Sequence, residues 1–66
     1  MQAFIRHNRS NAFDAGIAKW VVLRTEAADY GSVLKAEATI QERKLNNLSI
    51  ILSYPDGRQI VVVPSL

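Results

Sequence analysis

Cysteine is absent from this 66-residue chain, and histidine occurs once. The lack of cysteine excludes a disulfide framework and thiolate chemistry, and a single histidine without cysteine argues against a zinc site. No uncharged apolar run approaches the roughly 20 residues that span a bilayer, and residues 1–9 lack the apolar core of a signal peptide. We therefore expect a cytoplasmic protein with no membrane contact, no metal and no cofactor.

Length and composition predict a single small domain over residues 1–66. The apolar fraction of 48% is that of a globular chain. Below roughly 70–80 residues, however, one hydrophobic core is only marginally stabilising. Since binding raises apparent stability, we expect a partner or self-association, for which a homodimer is the simplest form.

The first half of the chain predicts a strand and then a helix. Residues 2–7 are suited to a short strand at the edge of a sheet. Residues 12–30 fit an amphipathic helix that begins after Asn11, has Asp14 in its first turn and ends at Gly31. The competing interpretation makes residues 19–24 a strand, because tryptophan and valine favour sheets. The apolar side of the predicted helix comprises Phe13, Ile17, Trp20, Val21, Leu23, Ala27 and Ala28.

The second half of the chain predicts three strands. Apolar and polar residues alternate over 34–40 and again over 48–54, which gives each strand one buried and one wet face. The sequence Y-P-D-G-R at 54–58 is typical of a tight hairpin turn with a left-handed glycine, and the third strand ends at Pro64. The predicted register pairs Leu52 with Ile60 and Ile50 with Val62 on the inner face, and Ile51 with Val61 on the outer face.

Together these elements predict an α+β domain with the order β-α-β-β-β. A three-stranded antiparallel meander packs on one long amphipathic helix, and the short N-terminal strand lies at an edge. The helix covers the inner face of this meander.

Residues that carry catalysis are sparse. His7 lies between Arg6 and Asn8 in a basic terminus, and no two carboxylates are predicted to share an apolar pocket. The three glycines form neither of the phosphate-binding glycine motifs. We therefore predict that the protein is not an enzyme and has no catalytic or metal-ligating residues. A toxin-type enzyme that uses His7 is a third hypothesis.

Residues 53–64, with the sequence S-Y-P-D-G-R-Q-I-V-V-V-P, resemble the last hairpin of the small HicA-type toxins that cleave messenger RNA. In that family the active histidine lies on the strand that leads into this turn. This chain has Ser49, Ile50, Ile51 and Leu52 there, so the resemblance implies the hairpin and not the activity.

Two groups of residues are candidates for binding. The apolar group Ile51, Val61 and Val63 is predicted on the outer face of the sheet, where water is expected, and such a patch usually marks an interface. The uncharged last strand, placed at an edge, also invites strand addition by a second copy or by a partner. The basic group comprises Arg6, Arg9, Arg43, Lys44 and Arg58.

These observations favour a non-enzymatic protein-interaction module that acts by stoichiometric binding. In size and layout the chain is similar to small phage inhibitors of host nucleoprotein complexes, anti-CRISPR proteins among them, which are short, cysteine-poor α+β folds. The basic group would meet an acidic or nucleic-acid-binding surface, and the apolar group would supply buried area or a dimer contact. The alternative is a small, dimeric nucleic-acid-binding regulator whose basic group contacts phosphates.

Overall fold

The computed structural model describes residues 1–16 and 19–64. Over these residues the chain forms an α-helix, a short 3₁₀ turn and five β-strands. The strands are β1 (Gln2–His7), β2 (Phe13–Asp14), β3 (Trp20–Val21), β4 (Leu48–Ser53) and β5 (Gln59–Val62), the helix is α1 (Val33–Arg43), and the 3₁₀ turn is Arg24–Glu26.

The strands form a single antiparallel sheet in the order β3-β2-β1-β4-β5. The α+β class is therefore confirmed, whereas the three-stranded meander and the edge position of the first strand are wrong. Strand β1 lies in the centre of the sheet, between β2 and β4. Its sequence explains why: Ala3 and Ile5 on one face and Phe4 on the other are all buried, and a strand buried on both faces is stable only inside a sheet.

The segment predicted as a strand over 34–40 is helix α1. Its alternating apolar residues include Ala36 and Ile40, which are four positions apart and are both fully buried, while Leu34 is 80% exposed. A pattern with an apolar residue at every second position therefore also contains pairs four residues apart, which lie on the same face of a helix. The strong helix formers around these residues favour the helix. Ser32 begins it, because its hydroxyl oxygen accepts a hydrogen bond from the Lys35 N–H at 3.3 Å.

The helix predicted over 12–30 is wrong. Strands β2 and β3 occupy part of this segment, and Ile17, placed on the apolar side of the predicted helix, lies outside the described residues. Asn11, the predicted N-cap, has φ of 60° and lies in a turn. Gly16 has φ of 125°, which is incompatible with a right-handed helix through this position. The competing strand interpretation is correct for Trp20–Val21, where aromatic and β-branched residues favour the sheet.

Gly31 is also not the end of a helix. It lies just before α1, with φ of 79°, and its N–H donates to the Asp29 carboxylate at 2.8 Å. This local turn redirects the chain from the sheet into the helix.

The hairpin of β4 and β5 is confirmed, together with its register. Ile50 pairs with Val62, Ile51 with Val61 and Leu52 with Ile60. In the turn, the Gly57 N–H donates to the Tyr54 carbonyl at 3.0 Å, and the Tyr54 N–H donates to the Arg58 carbonyl at 2.9 Å. Gly57 has φ of 92°, as a left-handed bulge residue after a type I turn requires.

Two layers of apolar side chains hold the sheet. On the helix face, α1 covers the centre of β1 and β4. On the opposite face, Phe4 and Ile51 are each 4% exposed, and the Phe13 ring meets the Phe4 ring edge-on at 6.4 Å. A cavity beside Phe4 is lined by Arg24, Thr25 and Ala27. The core on the helix face comprises Ala3, Ile5, Ala36, Ile40, Leu48, Ile50 and Leu52.

Candidate functional site

Among residues 1–16 and 19–64, strand β5 forms a free edge of the sheet, since it pairs with β4 on one side and ends the strand order. In an antiparallel pair, residues that bond to the neighbour alternate with residues whose N–H and C=O groups point away. Tyr54 bonds to Arg58 at the turn, so Ile60 and Val62 bond to β4. The backbone groups of Gln59, Val61 and Val63 therefore point outward from the edge.

The side chains of this edge are apolar and accessible on both faces. Ile60, on the helix face, is 46% exposed, and Val61, on the opposite face, is 54% exposed. Val63, just after the strand, is 76% exposed. Residues 59–64 contain no charged side chain. An edge with these properties lacks the charges, bulges and prolines within the strand that usually prevent strand addition.

The other edge of the sheet, β3, differs in length and charge. It has two residues, Trp20 and Val21, and Lys19 precedes them. Trp20 is 39% exposed, and Val22 and Leu23 after the strand are 83% and 60% exposed. This segment is therefore a second accessible apolar surface, but it offers too few backbone groups to pair with a strand.

The predicted apolar group Ile51, Val61 and Val63 is divided by the structure. Ile51 is buried beside Phe4 of the neighbouring strand, so it contributes to the core and does not reach the surface. Val61 and Val63 remain accessible. The surface that the structure presents is therefore the edge of the sheet, with part of each face, rather than the middle of the outer face.

Two members of the predicted basic group are engaged in ion pairs. Arg43, at the end of α1, lies 3.0 Å from the Asp14 carboxylate on β2. Arg58, in the hairpin, lies 2.7 Å from Asp56, and its guanidinium group also lies over the Tyr54 ring at 5.4 Å.

The other three basic residues lie at or near the opposite end of the sheet from the hairpin turn. Arg9 is in the connection between β1 and β2, and Lys44 follows α1 with φ of 54°. Arg6 is opposite Ser49 in the sheet, and its Nε atom is buried without a hydrogen-bond partner among the described residues. The structure therefore does not bring the five basic residues together on one face.

Within the described part of the chain, the most buried polar side chain is one that was not predicted from the sequence. Asp14 is 1% exposed, and its carboxylate accepts hydrogen bonds from the Tyr30 hydroxyl, from Arg43 Nη1 and from the Gly16 N–H. The predicted helix over 12–30 placed Asp14 in its first turn. No local feature of the sequence indicates this burial, because Tyr30 and Arg43 lie 16 and 29 residues further along the chain.

Burial and the adjacent carboxylate shift the pKa values of the two side chains that donate to Asp14. Burial raises the pKa of Tyr30, and the hydrogen bond and negative charge of Asp14 raise it further. For Arg43, partial burial lowers the pKa, but the charges and hydrogen bonds of Asp14 and Tyr30 together outweigh it, so the pKa is also raised. Tyr30 and Arg43 thus keep their protons and donate to Asp14. This arrangement suits a structural tie between strand, loop and helix, not proton transfer.

The His7 side chain accepts hydrogen bonds from the backbone of the turn that follows β1. Its Nδ1 atom accepts from the Arg9 and Ser10 N–H groups at 3.3 and 3.4 Å, and its ring meets the Trp20 ring edge-on at 5.7 Å. Among the described residues, no three His, Asp or Glu side chains are grouped as metal ligands. Within the same residues, no helix is long and apolar enough to cross a membrane.

An open cavity of about 260 Å³ lies where the chain leaves β5. Its wall is apolar at Ile40, Leu45 and Leu48, and three asparagines and the segment Val63–Pro64 complete it. Among the described residues, no charged side chain lines this cavity.

Comparisons with protein-family profiles, curated proteins and solved structures find no match to this chain.

Proposed function

We propose that this protein is a non-enzymatic interaction module that acts by stoichiometric binding, and that it pairs the free edge of β5 with a strand of another polypeptide. The observation that carries this proposal is the uncharged, accessible edge from Gln59 to Val63. Outward backbone groups provide hydrogen bonds to an added strand, and Ile60 and Val61 provide apolar contacts on the two faces.

Strand addition suits a chain of this size. A small domain leaves part of its apolar surface uncovered, and here half-exposed Ile60 and Val61 would be covered by one additional strand. The added strand would satisfy backbone groups that otherwise bond to water, so affinity comes mainly from excluding water from the apolar side chains.

A phage-type, anti-CRISPR-like inhibitor of a host nucleoprotein complex is the specific form of binder that we propose. The accessible segment with Trp20, Val22 and Leu23 supports it, because exposed tryptophan is enriched among residues that dominate binding energy. Lys19 and Arg24 flank this segment and would favour an acidic partner surface.

Nucleic-acid binding is the alternative, supported by Arg9 and Lys44 in connections at the same end of the sheet. Since Arg43 and Arg58 are held by carboxylates, only a short contact is available. Each phosphate neutralised adds about 0.9 to the slope of log K against log salt. Replacing both Arg9 and Lys44 with alanine is expected to lower that slope by nearly two if this alternative is correct.

The experiment that tests the proposal is an affinity capture from nuclease-treated and untreated bacterial lysates, with the tag at the N-terminus. Wild-type protein is compared with Val61→Lys, which puts a charge on the edge, and with Leu34→Lys. Leu34 is the matched control, because it is an exposed apolar residue on α1, away from the sheet.

We expect a captured protein that resists nuclease, is lost with Val61→Lys and is retained with Leu34→Lys. Capture that disappears with nuclease would move the function to the nucleic-acid alternative. Equal capture by all three chains would contradict the role of the β5 edge.

A further inference from the structure

We infer that the strand that adds to β5 is β5 of a second copy of this chain, so that two sheets join antiparallel about a two-fold axis through Val61. The inference rests on the proposed function, since it names the polypeptide that the same edge pairs with. The surface around Trp20, at the other edge of the sheet, stays free in both copies.

The outward backbone groups of β5 are compatible with this antiparallel pairing. Gln59, Val61 and Val63 direct their N–H and C=O groups outward. A two-fold axis between the two Val61 residues places each Val61 opposite Val61 of the second copy, and Gln59 opposite Val63 of the second copy. Every outward donor then meets an outward acceptor, and Pro64, which has no N–H, comes directly after the paired segment.

The side chains are self-complementary under the same axis. On the helix face, Ile60 lies opposite Val62 of the copy, and on the other face, the two Val61 side chains lie opposite each other. Apolar and β-branched cross-strand pairs of this kind stabilise a sheet. An isologous contact requires a self-complementary surface. The sequence Q-I-V-V-V over residues 59–63 meets this requirement, because it places no charge opposite a like charge.

The charged residue nearest this strand is compatible with the pairing. Arg58 precedes β5 and is held by Asp56 in its own hairpin. Antiparallel pairing puts the two Arg58 side chains at opposite ends of the joined strands, so they do not repel each other. Parallel pairing of two copies would bring both to the same end, which favours the antiparallel arrangement.

The contact is small compared with the roughly 1,200–2,000 Å² of a stable interface. We therefore expect a dimer that forms at micromolar or higher concentration rather than an obligate one. The dimer joins ten strands in one sheet and presents two Trp20 surfaces, so a partner with repeated sites would bind it with avidity.

Two measurements on the purified protein test the inference. The first is the solution mass by sedimentation equilibrium, from about 10 µM to about 1 mM, for wild type, Val61→Lys and Leu34→Lys. The second is amide hydrogen exchange by NMR at low and high concentration. We expect the mass to double with concentration in wild type and Leu34→Lys and to stay monomeric in Val61→Lys.

Exchange at single amides distinguishes this seam from any other. On dimer formation, the Gln59, Val61 and Val63 amides are expected to exchange at least about tenfold more slowly, whereas Ile60 and Val62 are already bonded to β4 and change little. Native-like amide spectra of Val61→Lys exclude unfolding as the cause of a monomeric mass.

A wild-type mass that stays monomeric to about 1 mM, or a dimer in which Val61 exchange is unchanged, overturns the inference. If monomeric wild-type protein still captures a protein from the nuclease-treated lysate, and the Val61→Lys variant does not, the proposed function stands. The strand that pairs with β5 then belongs to a different polypeptide. If neither mass nor capture depends on Val61, both proposals fail.

Discussion

Arg43 Nη1 lies 3.0 Å from the Asp14 carboxylate and 3.2 Å from the Gly16 carbonyl oxygen. The contact joins the last turn of α1 to β2 and to the loop that follows it. Tyr30 donates to the same carboxylate from the chain segment that leads into the helix. One buried acid therefore fixes three separate parts of the chain against one another.

Asp14→Asn is expected to lower the free energy of unfolding by about 2–3 kcal/mol. Among the described residues, the three groups that hydrogen-bond to this carboxylate are all donors. The NH₂ group of asparagine would face one of these donors, and Arg43 would lose its counter-charge. The loss is below that of a fully buried pair because Arg43 is 27% exposed. Urea unfolding followed by circular dichroism measures it.

The matched control for this variant is Asp56→Asn, which breaks the ion pair of the hairpin. Both partners there are more than half exposed, and such pairs contribute about 0–1 kcal/mol. Similar losses in the two variants would show that burial does not strengthen the contact of Asp14 with Arg43.

Tyr30 is expected to make the free energy of unfolding decrease with pH in the alkaline range. Because its pKa is raised in the folded state, its contribution is fully present below the unfolded value of about 10 and is lost as pH rises through the folded pKa. The free energy of unfolding is therefore expected to fall above pH ~10, and Tyr30→Phe is expected to reduce the fall. Tyr54→Phe, which keeps Tyr30, is the control and should retain it. Identical profiles for the two variants would contradict the prediction.

Gly57→Ala is expected to cost about 1–2 kcal/mol, because φ is 92° and a Cβ atom is strained in that conformation. A Cβ atom at Gly57 meets nothing within 4 Å, so the cost is in the backbone and not in packing. Gly57→Asn should cost less, since asparagine tolerates left-handed φ. Thermal unfolding of the three chains measures both, and equal losses for alanine and asparagine would exclude this explanation.

Ser32→Ala is expected to lower stability by about 1 kcal/mol, because the Lys35 N–H loses its acceptor at the start of α1. Ser32→Asp keeps an acceptor and adds a negative charge favoured at a helix N-terminus, so it should be neutral or stabilising. Far-ultraviolet circular dichroism and urea unfolding report the two effects. A loss with aspartate as large as with alanine would argue against the cap.

Local signals in the sequence located β1, β4, β5 and the hairpin. For β4 the decisive information is the alternation over 48–54, and for the hairpin and β5 it is the turn residues at 54–58. The register of Ile51 with Val61 followed from the turn alone. These elements also contain the accessible edge, so that part of the candidate site could be predicted.

The helix and the small strands could not be assigned in this way. Residues 34–40 satisfy the period of a strand and, through Ala36 and Ile40, that of a helix, so periodicity cannot decide between them. Strands β2 and β3 have two residues each, too few for a periodic pattern, and only the residue types over 19–24 indicated β3. The burial of Asp14 depends on Arg43, 29 residues later in the chain, and no local signal connects the two.

The central position of β1 has a consequence for how the chain acquires its structure. Ala3 pairs with Leu52 and Phe4 with Ile51, so β1 leaves the ribosome well before the strand β4 with which it pairs. Such distant pairing slows folding, because a long loop must close before its contacts are gained. The hairpin of β4 and β5 closes locally and supplies an early template, and docking of the N-terminal strand onto it is expected to be the rate-limiting step.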